Sequence, residues 1–166
     1  IKFVQLLPDD GILVYNADDV NCSHFSKYTK AKSLTYGINS SNANYTARNI
    51  NFDKYGFASF DVYHNNVFYK TFKLSVPGKH NVYNALACIA LCDEFGLDRS
   101  DIKSALQKYT GAHRRFEYLG EINGAKIFDD YGHHPTEITA VAEAMKKRKY
   151  NHSWVIFQPH TYSRTK

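Results

Sequence analysis

Nine residues from Asp129 to Glu137 read DDYGHHPTE and form the densest cluster of chemically able side chains in the chain. Asp129 and Asp130 supply carboxylates and His133 and His134 supply imidazoles. Carboxylates bind ribose hydroxyls or a metal, and imidazoles bind a metal, a phosphate or a carboxylate. The stretch follows a predicted strand and leads into a helix opened by Pro135, at the edge where open α/β sheets bind ligands. An Asp and a His capping that helix is the structural alternative.

Three further segments carry similar potential. Pro77 to Ala87, PGKHNVYNALA, sets Gly78 ahead of a helix whose first turn holds His80, Asn81 and Asn84. Asn81 and Asn84 are three apart and share a face, and amides that both donate and accept suit the edge of a purine. A helix N-terminus favours anions, whereas Asn81 could equally be a cap. The GKH triplet does not end a phosphate-binding P-loop, because position 80 is His and no earlier Gly stands at the required spacing. Gly111 to Glu117, GAHRRFE, places two adjacent arginines where Arg115 could hold a phosphate. On a strand only one of the pair would face a cleft, and a surface ion pair with Glu117 is the alternative. Gln158 to Thr165, QPHTYSRT, adds His160 and Arg164 after another predicted strand.

The elements that must position these groups are legible as patterns. Phe3 to Leu7 reads as a helix end, and Gly11 to Asn16 and Ser33 to Gly37 as short buried strands. A short helix capped by Asp18 or Asp19 and running to Phe25 would join them in a βαβ unit, which implies a parallel sheet. From Ala43 to Leu74 apolar and polar residues alternate, with turn chemistry at His64-Asn65-Asn66, so antiparallel strands are expected. Helical periodicity spans Asn81 to Phe95, ended by Gly96. A second helix starts at Asp98 or Ser100 and buries Ile102, Ala105 and Leu106. Strands near Phe116 to Ile122 and Ala125 to Asp130 follow, then a helix from Pro135 to about Arg148 and a strand from Trp154 to Gln158. A domain boundary is expected at residues 111 to 116.

Composition sets limits on partners. A 43% hydrophobic content and 22% charge describe a globular chain with a sizeable core. The formal charge of +5 would suit a polyanion, but the basic residues are scattered, and the run Lys146 to Lys149 ends a helix where cations are favoured. A nucleic-acid-binding module is therefore disfavoured. Three cysteines without a CxxC pair fit a reducing cytoplasm. Cys88 and Cys92 share a helix face, and with Ala85, Ile89 and Phe95 they read as a buried stripe rather than a metal site. No apolar run reaches the length of a membrane span. Ile1 at one end and the uncapped Thr161 to Lys166 at the other read as cut ends, so a fragment is expected.

Taken together, PGKHNVYNALA, HRRFE, DDYGHHPTE and QPHTYSRT stand in the order and rough spacing of the Mur ligases, and the chain resembles that family over nearly its whole length. Any one motif would be weak, whereas four in order are strong. The paired histidines followed by QPHxYSRT favour the branch that adds L-alanine over those adding later residues and over the folate polyglutamate synthases. The nearest competitor is the recycling ligase that attaches an intact peptide to the same sugar. A domain that borrows the fold without catalysis is a further alternative.

The resemblance implies an α/β fold. Residues 1–114 would be the latter part of a central ATP-binding domain, a mixed sheet with antiparallel strands and helices. Residues 115–166 would be the first βαβ part of a Rossmann-like C-terminal domain. It implies ATP, UDP-N-acetylmuramate and L-alanine as partners, joined through an acyl phosphate, with Mg2+ held by residues outside this chain. His80, Asn81 and Asn84 would line the adenine site. Arg115 would reach the phosphates, Asp130 would hold the nucleotide, and His133, His134, His160 and Arg164 would lie near the amino acid. Arg115, Asp130 and His133 are the catalytic candidates. The family often carries Arg where this chain has Thr161. The fragment alone is expected to be inactive.

Overall fold

A computed structural model describes residues 1–146 and 150–159. Five strands form one sheet in sequential order: β1 (Ile12–Asn16), β2 (Lys32–Gly37), β3 (Tyr45–Phe52), β4 (Phe57–His64) and β5 (Val67–Pro77). β1, β2 and β3 run parallel, and β3, β4 and β5 run antiparallel. Asn65 and Asn66, at φ 49° and 66°, close the β4–β5 hairpin, the left-handed pair that a two-residue hairpin turn requires. The parallel relation of β1 and β2 agrees with expectation, but the connection does not. Residues 17–24 form turns, followed by a 3-10 helix at Phe25–Tyr28. The Asp18 carboxylate, expected to cap a helix, instead accepts from the backbone N–H groups of Ile38, Asn39 and Ser40 and from the Tyr83 hydroxyl. These bonds hold its pKa below the usual carboxylate range, against a desolvation that acts the other way.

Helix α1 (Lys79–Glu94) lies across this sheet. Its buried residues Val82, Ala85, Leu86, Ile89 and Ala90 follow the i, i+3, i+4 spacing of one helical face and meet Tyr45, Phe60, Val62, Phe72 and Leu74 of the sheet. Cys88 lies outside that stripe and is exposed, as is Phe95. The stripe expected through them is therefore narrower, ending at Ile89 and the half-buried Cys92. Helix α2 (Arg99–Lys108) is capped by Asp98, which accepts from Ser100 N and Asp101 N, and it inserts Ile102 into the core. Leu106 packs at the margin, but Ala105 is exposed.

A separate antiparallel hairpin follows, β6 (Glu117–Ile122) and β7 (Ala125–Asp129), and then α3 (Pro135–Lys146). The expected strand Trp154–Gln158 does not form: the segment has no regular structure, and Trp154 and Ile156 are 88% and 96% exposed. A parallel strand needs a neighbour to satisfy its backbone groups, and among the described residues no strand lies beside it. Lys147 to Lys149, within the expected basic helix end, lie outside the described residues.

Candidate functional site

The linker between α2 and β6 carries the first group of candidates. Arg114 and Phe116, at φ 57° and 50°, are both left-handed, and they flank Arg115. Such a conformation costs a non-glycine residue on the order of 1 kcal/mol, and here hydrogen bonds hold it. Arg114 N donates to Glu117 Oε2 at 2.7 Å, and Phe116 N donates to Asp130 Oδ2 at 2.8 Å. Tyr131 N donates to Arg114 O at 2.7 Å, and the Arg114 guanidinium pairs with Asp129 at 3.0 Å while lying 4.8 Å over the Tyr131 ring. The arginines are thus not on a strand, and Glu117 lies beside His113 Nδ1, at 3.0 Å, in place of the expected ion pair with an arginine. The two arginines are split by the left-handed turn: Arg114 is tied to Asp129, and Arg115 to Glu137 on α3 at 3.0 Å.

The loop of Asp130 to His134 is the second group. Asp130 spends both oxygens on backbone, accepting from Phe116 N and, at 2.6 Å, from Gly132 N. A Cβ at Gly132 would sit 2.7 Å from Asp130 Oδ1, so a side chain there would push the carboxylate aside. His134 and Glu137 form a reciprocal cap on α3. His134 Nδ1 faces Thr136 N at 3.3 Å, and Glu137 Oε2 accepts from His133 N and His134 N, each at 3.2 Å. Arg115 and these two amides hold the Glu137 pKa down at about 2.

The third group opens α1. Gly78 has φ 99°, and a Cβ on it would meet the His80 ring at 2.8 Å, so glycine is needed both for the backbone and for the imidazole lying over it. His80 keeps an exposed edge, yet the desolvated side of its ring lowers its pKa; nearby Asp130 acts to raise it and Arg115 to lower it. Asn81 is not the cap: its Nδ2 donates to Pro77 O at 2.8 Å. Asn84 Nδ2 donates to Asn81 Oδ1 at 3.1 Å, so the two amides share a face as expected, with Asn84 exposed.

His80, Asn81, Asn84, Arg115, Asp130, His133 and His134 therefore lie on α1, the linker and the loop before α3, while His160, Thr161 and Arg164 lie outside the described residues. A cleft of about 760 Å³, lined in part by Tyr55, Phe57, Pro77, Phe116 and Phe128, reaches Arg115 but neither His80 nor Asp130. The candidate site is the polar set of His80, the Asn81 and Asn84 amides, Arg115 and Asp130, of which Arg115 borders this cleft. Glu137, which joins the first two groups, was noticed in the sequence only as a helix residue. Its signal was position, a Glu three residues after the helix cap. Among the described residues no group of three or more His, Cys, Asp or Glu could hold a metal, and no helix is long and apolar enough to cross a membrane.

Comparison with known proteins bears on this arrangement. The Mur ligase middle domain matches residues 1–92, and the Mur ligase glutamate ligase domain matches residues 114–165. The chain belongs to the Mur ligase family. Its whole length is 46% identical to a UDP-N-acetylmuramate–L-alanine ligase of Acetivibrio thermocellus and 48% identical to one of Clostridium beijerinckii, covering 35% and 36% of those proteins. The chain thus spans about a third of the curated Mur ligases it matches. Among solved structures, UDP-N-acetylmuramate-alanine ligase of Thermotoga maritima aligns with TM-score 0.66 at 27% identity over 87% of this chain and 40% of that one. A murein peptide ligase of Psychrobacter arcticus aligns with TM-score 0.67 at 28% identity over 87% of this chain and 30% of that one. The α/β architecture with a mixed sheet is that of the Mur ligases.

Proposed function

We propose that this chain is part of an ATP-dependent ligase that joins L-alanine to UDP-N-acetylmuramate in peptidoglycan precursor synthesis, in the cytoplasm. Residues 1–114 would be the latter part of the central domain and residues 115–166 the start of the C-terminal one. The observation that carries the reading is the tie between the linker and the loop before α3, Phe116 N to Asp130 and Arg115 to Glu137, at the junction of two regions that match the family.

The chemistry supplied by ATP is activation of the muramate carboxylate as an acyl phosphate, which the alanine amine then displaces. The residues fit a nucleotide. The α1 N-terminus and the paired amides of Asn81 and Asn84 suit a base, and the half-exposed Arg115 offers a fixed cation to phosphate. Asp130 acts on the nucleotide side chiefly by fixing the backbone at Phe116 and Gly132, since both its oxygens are engaged there. His133 and His134, at the mouth of α3, would face the amino acid together with His160 and Arg164. The Mg2+ that the family resemblance implies would be held by residues outside this chain.

L-alanine is favoured over an intact peptide because the relatives at 46% and 48% identity carry the L-alanine name, whereas the structural likeness to the two kinds of ligase is nearly equal. The test is ADP release by the intact protein with UDP-N-acetylmuramate and either L-alanine or a tripeptide. L-alanine-dependent turnover is expected, reduced at least about 100-fold in Arg115→Ala, and residues 1–166 alone should give none. Turnover with the tripeptide only, or robust turnover by the 166-residue chain, would refute the reading.

A further inference from the structure

We propose that Glu137 is a positioning residue that holds Arg115 and the His133–His134 loop as one unit, so that the phosphate-facing cation and the amino-acid-facing histidines are set together. This rests on the reading of Arg115 and the histidines given above. The geometry is a division of labour within one carboxylate. Oε1 takes Arg115 Nη1 at 3.0 Å, and Oε2 takes the N–H groups of His133 and His134 at 3.2 Å. An ordinary capping glutamate uses its carboxylate on the backbone alone. Here it also reaches 22 residues back in sequence to the linker. The carboxylate stays ionised throughout the working range, so the tie does not loosen near neutrality. Arg115 keeps about half its side-chain surface exposed, and the fork of an arginine carries five donors, so a guanidinium held at Nη1 can still address an anion.

The consequence is a separation of orientation from affinity. Glu137 partly neutralises the Arg115 charge, which cannot tighten ground-state ATP binding. It fixes the direction of the fork, which matters when charge shifts on the transferring phosphoryl group. Glu137→Gln is the sharpest probe, because the amide oxygen can still accept from His133 N and His134 N while its NH2 cannot face Arg115.

In the intact ligase, Glu137→Gln is expected to lower kcat by about 10- to 100-fold with no rise in KM for ATP and an unchanged KM for L-alanine. Glu137→Ala loses the cap as well and should raise KM for L-alanine. In an Arg115→Ala background Glu137→Gln should add nothing further to the loss in kcat. Glu137→Asp keeps the charge but is one methylene short of spanning both partners, and should lower kcat in the same sense. Thermal unfolding of each variant identifies those that fold, and either Glu137→Gln or Glu137→Asp suffices. A folded variant with kcat within about twofold of the parent overturns the proposal, as does a full additional loss in the Arg115→Ala background. Absence of L-alanine-dependent turnover in the unsubstituted protein would instead sink the ligase reading.

Discussion

Replacing Asp130 by Asn changes one oxygen to an NH2 and little else, so it isolates what the carboxylate does for the linker. Both oxygens of Asp130 receive backbone N–H groups, from Phe116 at 2.8 Å and Gly132 at 2.6 Å. Asn can satisfy one of them, and its NH2 then confronts the other donor. A hydrogen bond to a charged acceptor contributes about 1.5–3 kcal/mol, and the half-buried position argues for the lower end. Adding about 1 kcal/mol for the donor left unsatisfied gives a local loss of about 2–3 kcal/mol. Phe116 is left-handed at φ 50°, so the segment has strain to release once its amide is freed. Amide hydrogen exchange by NMR reads this directly: protection at Phe116 or Gly132 should fall by about 30- to 150-fold, while Ile89 in the core keeps its rate. Unchanged protection at both amides would refute the brace and leave Asp130 as a group held for ligand alone.

Asp93 is the corresponding test in the core. It accepts from the hydroxyls of Tyr45 and Tyr69, both at 2.7 Å, and these phenols are pushed well above their ordinary pKa by burial and by Asp93, so they remain donors. Asp93→Ala should destabilise the chain by about 3 kcal/mol in urea unfolding, and a loss under about 1 kcal/mol would contradict the assignment. His80 should titrate below a free imidazole in NMR. Asp130→Ala should lower its pKa further and Arg115→Ala should raise it; shifts of the opposite sign would separate these groups in space. Because the folded pKa of His80 is depressed, its contribution to stability is complete above the unfolded value near 6.5 and is lost as pH falls toward the folded one, so stability should decline on mild acidification. A flat profile between pH 7 and 5 in a chain whose only other histidine changes are silenced would contradict this.

Much of this was readable in the residues because the relevant forces are local. The alternation of β4 and β5, the Asn65-Asn66 turn and the stripe of α1 each follow from a period or a turn preference, and Asp98 declares its helix through one cap. What was not readable depends on partners distant in sequence. Asp18 resembles a helix cap until residues 38–40 arrive to take its carboxylate. Trp154 to Gln158 has the composition of a strand, but among the described residues no strand lies beside it. Two arginines in a row suggest alternation along a strand, yet left-handed residues on each side of Arg115 turn the pair into separate attachments. Glu137 closes the motif DDYGHHPTE and its place three residues after the cap marks it as a capping glutamate, but nothing in the sequence shows that its other oxygen reaches Arg115.

The linker geometry bears on how such a site can work with its lobes drawn from different parts of the chain. A flexible connection between α2 and β6 would leave Arg115 to sample many directions, and each ligand would have to select one. Here the backbone on one side is pinned by Glu117 and on the other by Asp130, and the guanidinium is pinned by Glu137. The conformational cost of orienting a cation is therefore met on folding rather than on binding, a cost comparable to the strain stored at Arg114 and Phe116. Arg115 is thereby fastened to α3 by its own side chain. A substitution that frees Arg115 from Glu137 should therefore uncouple it from the His133–His134 loop without unfolding either part.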